Sequence, residues 1–409
     1  MSRRALALPL IALLGLAGPA SADTLLIERA QEQPVAAPAR GQTTADVEAR
    51  FGAPQQKLEP RGGQKRQWPV IHRWVYPGFT VYFEKSRVID VVLNKAFPAE
   101  WEPQSAVLIA WPHAETDWAD RLAEVEETYV DLVAAITRFQ PVVICVADDD
   151  LQTYAEARLR SARVDMARAR FVLAEYDDTW LRDSGPITLR DGDRFKLLGM
   201  QLFHNYFVQS IDFALEGGAI ETDGAGTLLT TWQCLHERHP DASRDELTEK
   251  LARWLKQDRV LWLDHGYLEG DDTDAHIDTL ARFAPGDAIV YQACDDAGDV
   301  HHAELQAMAA DIAALRTADG RPYRPFPLPW AQPVIDNGRR LAASYANYLI
   351  INGAVLMPAY GDAADAAAAA VLAQAYPDRE IVQVPCRALI WQNGSLHCIT
   401  MQLPAGLLD

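Results

Sequence analysis

Downstream of residue 97, short apolar runs recur along the chain: "VLIAWP" from Val107, "PITLRDG" from Pro186, "GTLLTTW" from Gly226, "GDAIVYQ" from Gly286, "AVLMPAY" from Ala354 and "LHCITMQ" from Leu396. Runs this short, bounded by glycine, proline and charged residues, read as strands. Between several of them the period lengthens. Leu122, Val125, Tyr129, Leu132 and Ile136 fall on one helical stripe, and Ser243 with Glu246 makes a capping box ahead of Leu247, Leu251 and Trp254. The alternation predicts a mixed α/β fold of repeated strand units over residues 97–409, with no linker to divide it.

The preceding segment has another character. "GQTTADVEARFGAP", from Gly41, predicts a short helix stopped at Gly52 and Pro54. "RWVYPGFTVYFEKSRVIDVVL" then predicts two or three strands, broken at Pro77–Gly78 and at a charged turn around Lys85 and Ser86. Residues 41–95 therefore read as a small α+β module without a cluster of chemical groups, suited to binding or tethering. In its motif the module resembles the small lipoproteins of the outer-membrane assembly machinery. Residues 23–40, rich in Ala, Pro and Gln, read as a linker. Residues 1–22 carry two arginines, an apolar stretch from Ala5 to Gly18 and a small-residue site at Ala20–Ser21–Ala22, the pattern of a secretory signal peptide. A periplasmic or secreted location is expected, with the cytoplasm as the alternative if that segment is not a true signal. No other stretch has the length and apolarity of a membrane span.

With 409 residues, 49% hydrophobic and 23% charged, the chain has globular composition. Its formal net charge of -19 argues against a nucleic-acid partner and suits a small cationic one. The five cysteines are an odd number without a C-x-x-C pair, so at least one thiol is expected to be free.

Three stretches concentrate polar residues beyond what packing requires. In "DDTWLRDSGP", carboxylates flank Trp180 and Arg182, and Gly185–Pro186 predicts a turn holding Asp183 at the close of a strand or loop. A local Asp–Arg pair would explain this, but an indole face beside an anion also suits a delocalised cation such as guanidinium. In "LEGGAIETDG", Glu216 precedes two glycines that permit close backbone approach or serve a plain hairpin. In "GDDTDAHIDTLARF", His276 and Asp278 would project from one face of an extended segment as an acid–base pair. Two other readings compete there: a calcium loop of Asp271, Asp272 and Asp274, which lacks the required glycine and closing glutamate, and a His-x-Asp metal pair. Cys398 could be a small buried hydrophobe. The polar run Gln392–Asn393–Gly394–Ser395 before it instead suggests a functional loop. On a strand His397 would point away from Cys398, which leaves His276 as the candidate base.

The ordered blocks "FPAEWEPQSAVLIAWPH", "DDTWLRDSGP", "LEGGAIETDG", "HIDTLARF", "ASYANYLIINGAVLMPAYGD" and "GSLHCITMQ" resemble the agmatine deiminase family, which also contains the bacterial peptidylarginine deiminases. The resemblance spans about Phe97 to Pro404. It implies the pentein (guanidine-modifying) fold, an α/β propeller of five ββαβ-like units about a pseudo-fivefold axis. It also implies a hydrolase converting agmatine to N-carbamoylputrescine and ammonia, without metal or organic cofactor and with a small cationic guanidine as its partner. A homo-oligomer is compatible with it. By this resemblance Cys398 matches the nucleophile, His276 the general acid and base, Asp183 and Asp278 the carboxylates gripping the guanidinium, Glu216 the acid orienting the histidine, and Trp180 an aromatic lining the substrate channel. The chain reads "WQNGSLHC" where dedicated agmatine deiminases have a triple-glycine, Asn-Ile run before the His-Cys pair. That difference bears on the substrate tail, and peptidyl-arginine is the alternative substrate. A noncatalytic guanidine-binding protein or a metal-dependent hydrolase are the alternatives from other classes.

Overall fold

The computed structural model describes residues 38–54, 56–63, 69–76, 79–93, 97–191, 194–198, 208–209 and 212–408. The signal-like segment 1–22 and most of the 23–40 linker lie outside the described residues. The chain divides into two compact units, Met1–Val92 and Leu93–Asp409.

In the first unit, helix α1 (Thr44–Phe51) starts at a capping box of Thr43 and Asp46 and stops at Gly52, whose φ of 78° suits glycine. A four-stranded sheet follows in sequence order: β1 (Gln56–Gly62), β2 (Val70–Val75), β3 (Phe79–Glu84) and β4 (Arg87–Leu93). Val81 and Phe83 of β3 point inward to Val47, Tyr76 and Val88. β1, "QKLEPRG", has Leu58 as its one large apolar side chain and no alternation, which is why hydropathy gives no sign of it.

Among the described residues, five sheets of the second unit share one plan, in which a central strand pairs antiparallel on one side and parallel on the other. The first takes β5 (Gln104–Ala110) as its centre, with β6 (Val142–Val146) and β7 (Ala169–Leu173) parallel beyond it. Helices α2 (Leu122–Thr137) and α3 (Asp149–Ser161) make the crossovers. Helix α4 (Leu181–Ser184) leads into the second sheet, β8 (Ile187–Asp191), β9 (Arg194–Leu198) and β10 (Val208–Gln209). The third consists of β11 (Glu221–Thr222), β12 (Thr227–Thr231) and β13 (Arg259–Leu263), with α5 (Trp232–Arg238) and α6 (Arg244–Trp254) between the last two. Helix α7 (Ile277–Leu280) precedes the fourth: β14 (Ala281–Ala284), β15 (Ala288–Gln292) and, after α8 (His302–Ala314), β16 (Arg324–Leu328). A hairpin, β17 (Val334–Asp336) and β18 (Arg339–Leu341), separates it from the fifth, β19 (Leu349–Ile351), β20 (Ala354–Ala359) and, beyond α9 (Asp365–Ala375), β21 (Glu380–Pro385). The last strand, β22 (Met401–Pro404), returns to pair antiparallel with β5 and so joins the two ends of the unit.

The helical stripe forms as expected: Val125, Tyr129, Leu132 and Ile136 of α2 are fully buried against β5 and β6. Ser243 and Glu246 form the reciprocal cap of α6. The expected strand from Leu396 is corrected, because only Met401–Pro404 is extended. His397 and Cys398 give their backbone N–H groups to Asn347 rather than to a neighbouring strand, and Thr400 N–H bonds back to the His397 carbonyl, so residues 396–399 are a turn.

Candidate active site

Three short irregular segments place the polar residues. The turn before β22 carries Cys398, and the Cys398 carbonyl accepts from Arg182 N–H at 3.0 Å. This fixes α4 beside it. Asp183 therefore sits in a helical turn, not at the close of a strand or loop as its flanking Gly–Pro suggests. Asp271 holds the third segment by accepting from the N–H groups of Thr273 and Ala275 at 3.1 and 2.9 Å. Asp274 and Ala275 are forced to φ of 58° and 68°, His276 sits at the N-terminal cap position of α7 without a side-chain capping bond, and Asp278 lies within the helix. The one-face argument for His276 and Asp278 thus fails, since the backbone there is not extended. The calcium-loop reading loses two of its acids, Asp271 to the backbone and Asp274 to Arg238.

These segments bring Cys398, Asp278, Asp183 and His276 together. Cys398 Sγ is buried, 3.7 Å from Asp278 Oδ2 and 3.2 Å from Asn347 Nδ2. His276 Nδ1 lies 3.7 Å from Asp183 Oδ1, which also accepts from Gly218 N–H at 2.9 Å. The two glycines after Glu216 serve close approach rather than a left-handed turn. A Cβ on Gly218 would lie 2.5 Å from His276 Nδ1 and 2.9 Å from Asp183 Oδ1; one on Gly217 would lie 2.1 Å from the Arg182 carbonyl. Trp180 closes another side. A Cβ on Gly394 would strike its ring at 2.3 Å, and its indole N–H donates to Gln392 Oε1 at 3.3 Å.

Behind Cys398 lies a buried network of charges that sequence reasoning did not single out. His397 Nδ1 is 2.7 Å from Asp278 Oδ2, and its Nε2 is 2.7 Å from Glu100 Oε2. Glu100 accepts from Arg282 at 2.9 Å and faces Arg182 at 3.6 Å. Arg282 also pairs with Glu221 and donates to the Tyr348 carbonyl at 2.6 Å. Each ring nitrogen of His397 faces a carboxylate oxygen, an arrangement an imidazolium satisfies by donating twice. Burial, and then the charges of Arg182 and Arg282, lower the His397 pKa from its ordinary value against the pull of Glu100 and Asp278. The available signal was Arg282, a charge inside the apolar run "TLARFA".

The electrostatics follow from this crowding. Burial, and then the carboxylates of Asp278 and Asp183, push the Cys398 thiol well up. Burial raises Asp183 to about 6 against the pull of the His276 charge. Burial opposes charge on His276, but Asp183, Cys234 and Asp278 together raise it to about 10. Burial also opposes charge on Asp278, yet its bond to His397 holds the carboxyl below the usual range. Several polar atoms remain unpaired. Neither nitrogen of His276 has hydrogen-bond geometry with a partner among the described residues, and Asp278 Oδ1 has none. Buried groups left in this state around a thiol form a site prepared for a cationic, donor-rich ligand.

Glu216 stands at the edge of the site, accepting from Arg238 Nε at 2.7 Å. Its carboxylate, the Cys234 thiol and the His276 ring come within 4.8 Å of one another. Cys234 and Asn347 were not anticipated. Among the described residues no helix is long and apolar enough to cross a membrane.

The profile of the Porphyromonas-type peptidyl-arginine deiminase family matches residues 96–404. An agmatine deiminase of Stutzerimonas stutzeri (strain A1501) is 32% identical over 358 residues, covering 75% of this chain and 95% of that protein. Among solved structures, a C. jejuni agmatine deiminase with a cysteine-to-serine substitution and substrate bound is 30% identical with a TM-score of 0.69, covering 76% of this chain and 97% of its own. A Porphyromonas gingivalis protein solved as a candidate arginine deiminase is 40% identical with the same TM-score, covering 76% and 99%. The fold of this unit is the mixed α/β fold of these structures.

Proposed function

The chain belongs to the Porphyromonas-type peptidyl-arginine deiminase family, and from that premise we propose that it is a cysteine-dependent iminohydrolase converting agmatine and water to N-carbamoylputrescine and ammonia. The observation that carries the reading is the set of unpaired acceptors and ring nitrogens around the Cys398 thiol, enclosed by Asp183, Asp278 and His276. Curated agmatine deiminases related over most of their length support the substrate class.

In this reading Asp183 and Asp278 grip the guanidinium nitrogens, and Trp180 lines the approach. Burial and the two carboxylates keep the Cys398 thiol protonated; the incoming cation neutralises the carboxylates, so the thiol releases its proton to solvent as substrate arrives. The thiolate attacks the guanidinium carbon to give a tetrahedral adduct. His276 protonates the leaving nitrogen, ammonia departs, and an amidino thioether remains. Water, deprotonated by His276, adds to that carbon; collapse expels the thiolate, and the hydroxyl proton passes to the released ammonia or to solvent to leave the ureido product. Asn347, at 3.2 Å from Sγ, steadies the thiolate. Glu216, held by Arg238 Nε and within 4.8 Å of the His276 ring, orients that histidine.

The shared plan of the five sheets, and the pairing of β22 with β5, support a ring of five units about a pseudo-fivefold axis. Residues 41–95 form a separate tethering module in this proposal, and the leader sends the protein to the periplasm or beyond. The family profile favours peptidyl-arginine as the second substrate reading. Ammonia and ureido-product release from agmatine, free arginine and an arginine-containing peptide separates the two. Turnover of agmatine alone supports the polyamine reading, turnover of the peptide replaces it, and guanidine binding without any turnover makes the protein a receptor.

A further inference from the structure

Cys234 is a buried thiol beside the His276 imidazole and has no role in the proposed reaction. It is fully buried near the start of α5, and its thiol, a Glu216 carboxylate oxygen and a His276 nitrogen lie within 4.8 Å of one another. One thiol, one imidazole and one carboxylate, with a fourth position left for water, are a donor set suited to Zn²⁺. Zinc bonds of ~2.0–2.3 Å require the three to close by a small movement, which the partly exposed Glu216 can supply. The second observation is that His276, with 1% of its surface exposed, leaves both ring nitrogens without a hydrogen-bond partner among the described residues. Arg238 Nε, at 2.7 Å from Glu216 Oε1, is the cation already competing for the carboxylate.

We propose that Cys234, His276 and Glu216 form an inhibitory site for a divalent thiophilic cation such as Zn²⁺. On binding, the metal replaces the thiol proton of Cys234 and any proton on the bound nitrogen of His276, and both are released to solvent. An imidazole held by the metal can neither protonate departing ammonia nor deprotonate water, so the ion switches the proposed reaction off. The inference rests on the proposed role of His276 for that consequence, but not for the binding itself.

The test is a Zn²⁺ titration of the full chain against a chromophoric chelator, run without substrate so that it is independent of turnover. Co²⁺ serves as a spectroscopic probe. One equivalent should bind saturably, with a thiolate-to-cobalt charge-transfer band. Cys234→Ser should remove the band and weaken Zn²⁺ binding by ~100-fold or more, and Glu216→Gln by ~10-fold or more, as loss of ligands and their supports does. Arg238→Gln, which releases Glu216, should tighten binding, a gain that misfolding cannot imitate. Cys398→Ser should leave the band in place. Where agmatine is turned over, Zn²⁺ should inhibit and a chelator should restore the rate. Absence of saturable binding would overturn the proposal, as would a band that survives Cys234→Ser and disappears in Cys398→Ser.

Discussion

Cys398 Sγ and His397 Nδ1 share one acceptor, Asp278 Oδ2, at 3.7 and 2.7 Å. The consecutive residues His397 and Cys398 reach the same carboxylate because the chain turns there instead of running as a strand. Burial, and then the carboxylate next to sulfur, keeps the thiol protonated in the free protein. Cys398 should therefore alkylate with the neutral reagent iodoacetamide more slowly than free cysteine at pH 7.5. Asp278→Asn should accelerate that alkylation while lowering turnover by ~100-fold or more, the range of lost substrate positioning. Rapid alkylation of the unaltered protein would mean that the thiolate is already formed.

Gly218 has no room for a side chain. An alanine there must displace His276 or Asp183, whose atoms lie 2.5 and 2.9 Å from the new Cβ. Displacements near 1 Å cost on the order of 10²-fold in rate. Gly218→Ala should lower kcat by about that factor in steady-state kinetics, and a melting curve should show the overpacking as a lower thermal midpoint.

The pH profile of kcat/KM should be bell-shaped. Asp183 is raised to about 6, so below that pH it is neutral and grips a cation poorly. His276 is raised to about 10, so above that pH it has no proton to give. Activity should rise through about 6, keep climbing as the Cys398 thiol becomes easier to ionise, and fall beyond about 10. Asp183→Asn should remove the acid limb along with most of the activity. A flat profile across both limbs would count against these roles.

Arg282 is fully buried between Glu100 and Glu221. Arg282→Met leaves two buried carboxylates with one cation fewer, and breaking such a pair from one side costs ~3–5 kcal/mol. Chemical denaturation should show that loss. An unchanged midpoint would mean that the network contributes nothing net.

Much of the fold was legible because the signals are local. The stripe from Leu122 to Ile136 and the Ser243–Glu246 cap need only neighbours within a helix, and α2 and α6 form where those patterns lie. The β5, β8, β12, β15 and β20 strands fall on the apolar runs for the same reason. The site was legible as residue types but not as geometry. Asp183 and Asp278 lie in single helical turns and His276 follows two left-handed residues, conformations set by Asp271 and by the backbone contact of Arg182 with Cys398. Glu100 and His397 are 297 positions apart, and nothing in either neighbourhood shows that they meet. Asn347, which takes the amides of the Cys398 turn, was hidden the same way.

The central claim is that Cys398 bonds to the guanidinium carbon during turnover. Mass spectrometry of protein quenched with acid during agmatine turnover tests it directly. The Cys398-containing peptide should carry an added mass equal to agmatine less ammonia, and Cys398→Ser should show neither adduct nor product. Turnover with no adduct on that peptide, or with the adduct on another cysteine, would contradict it.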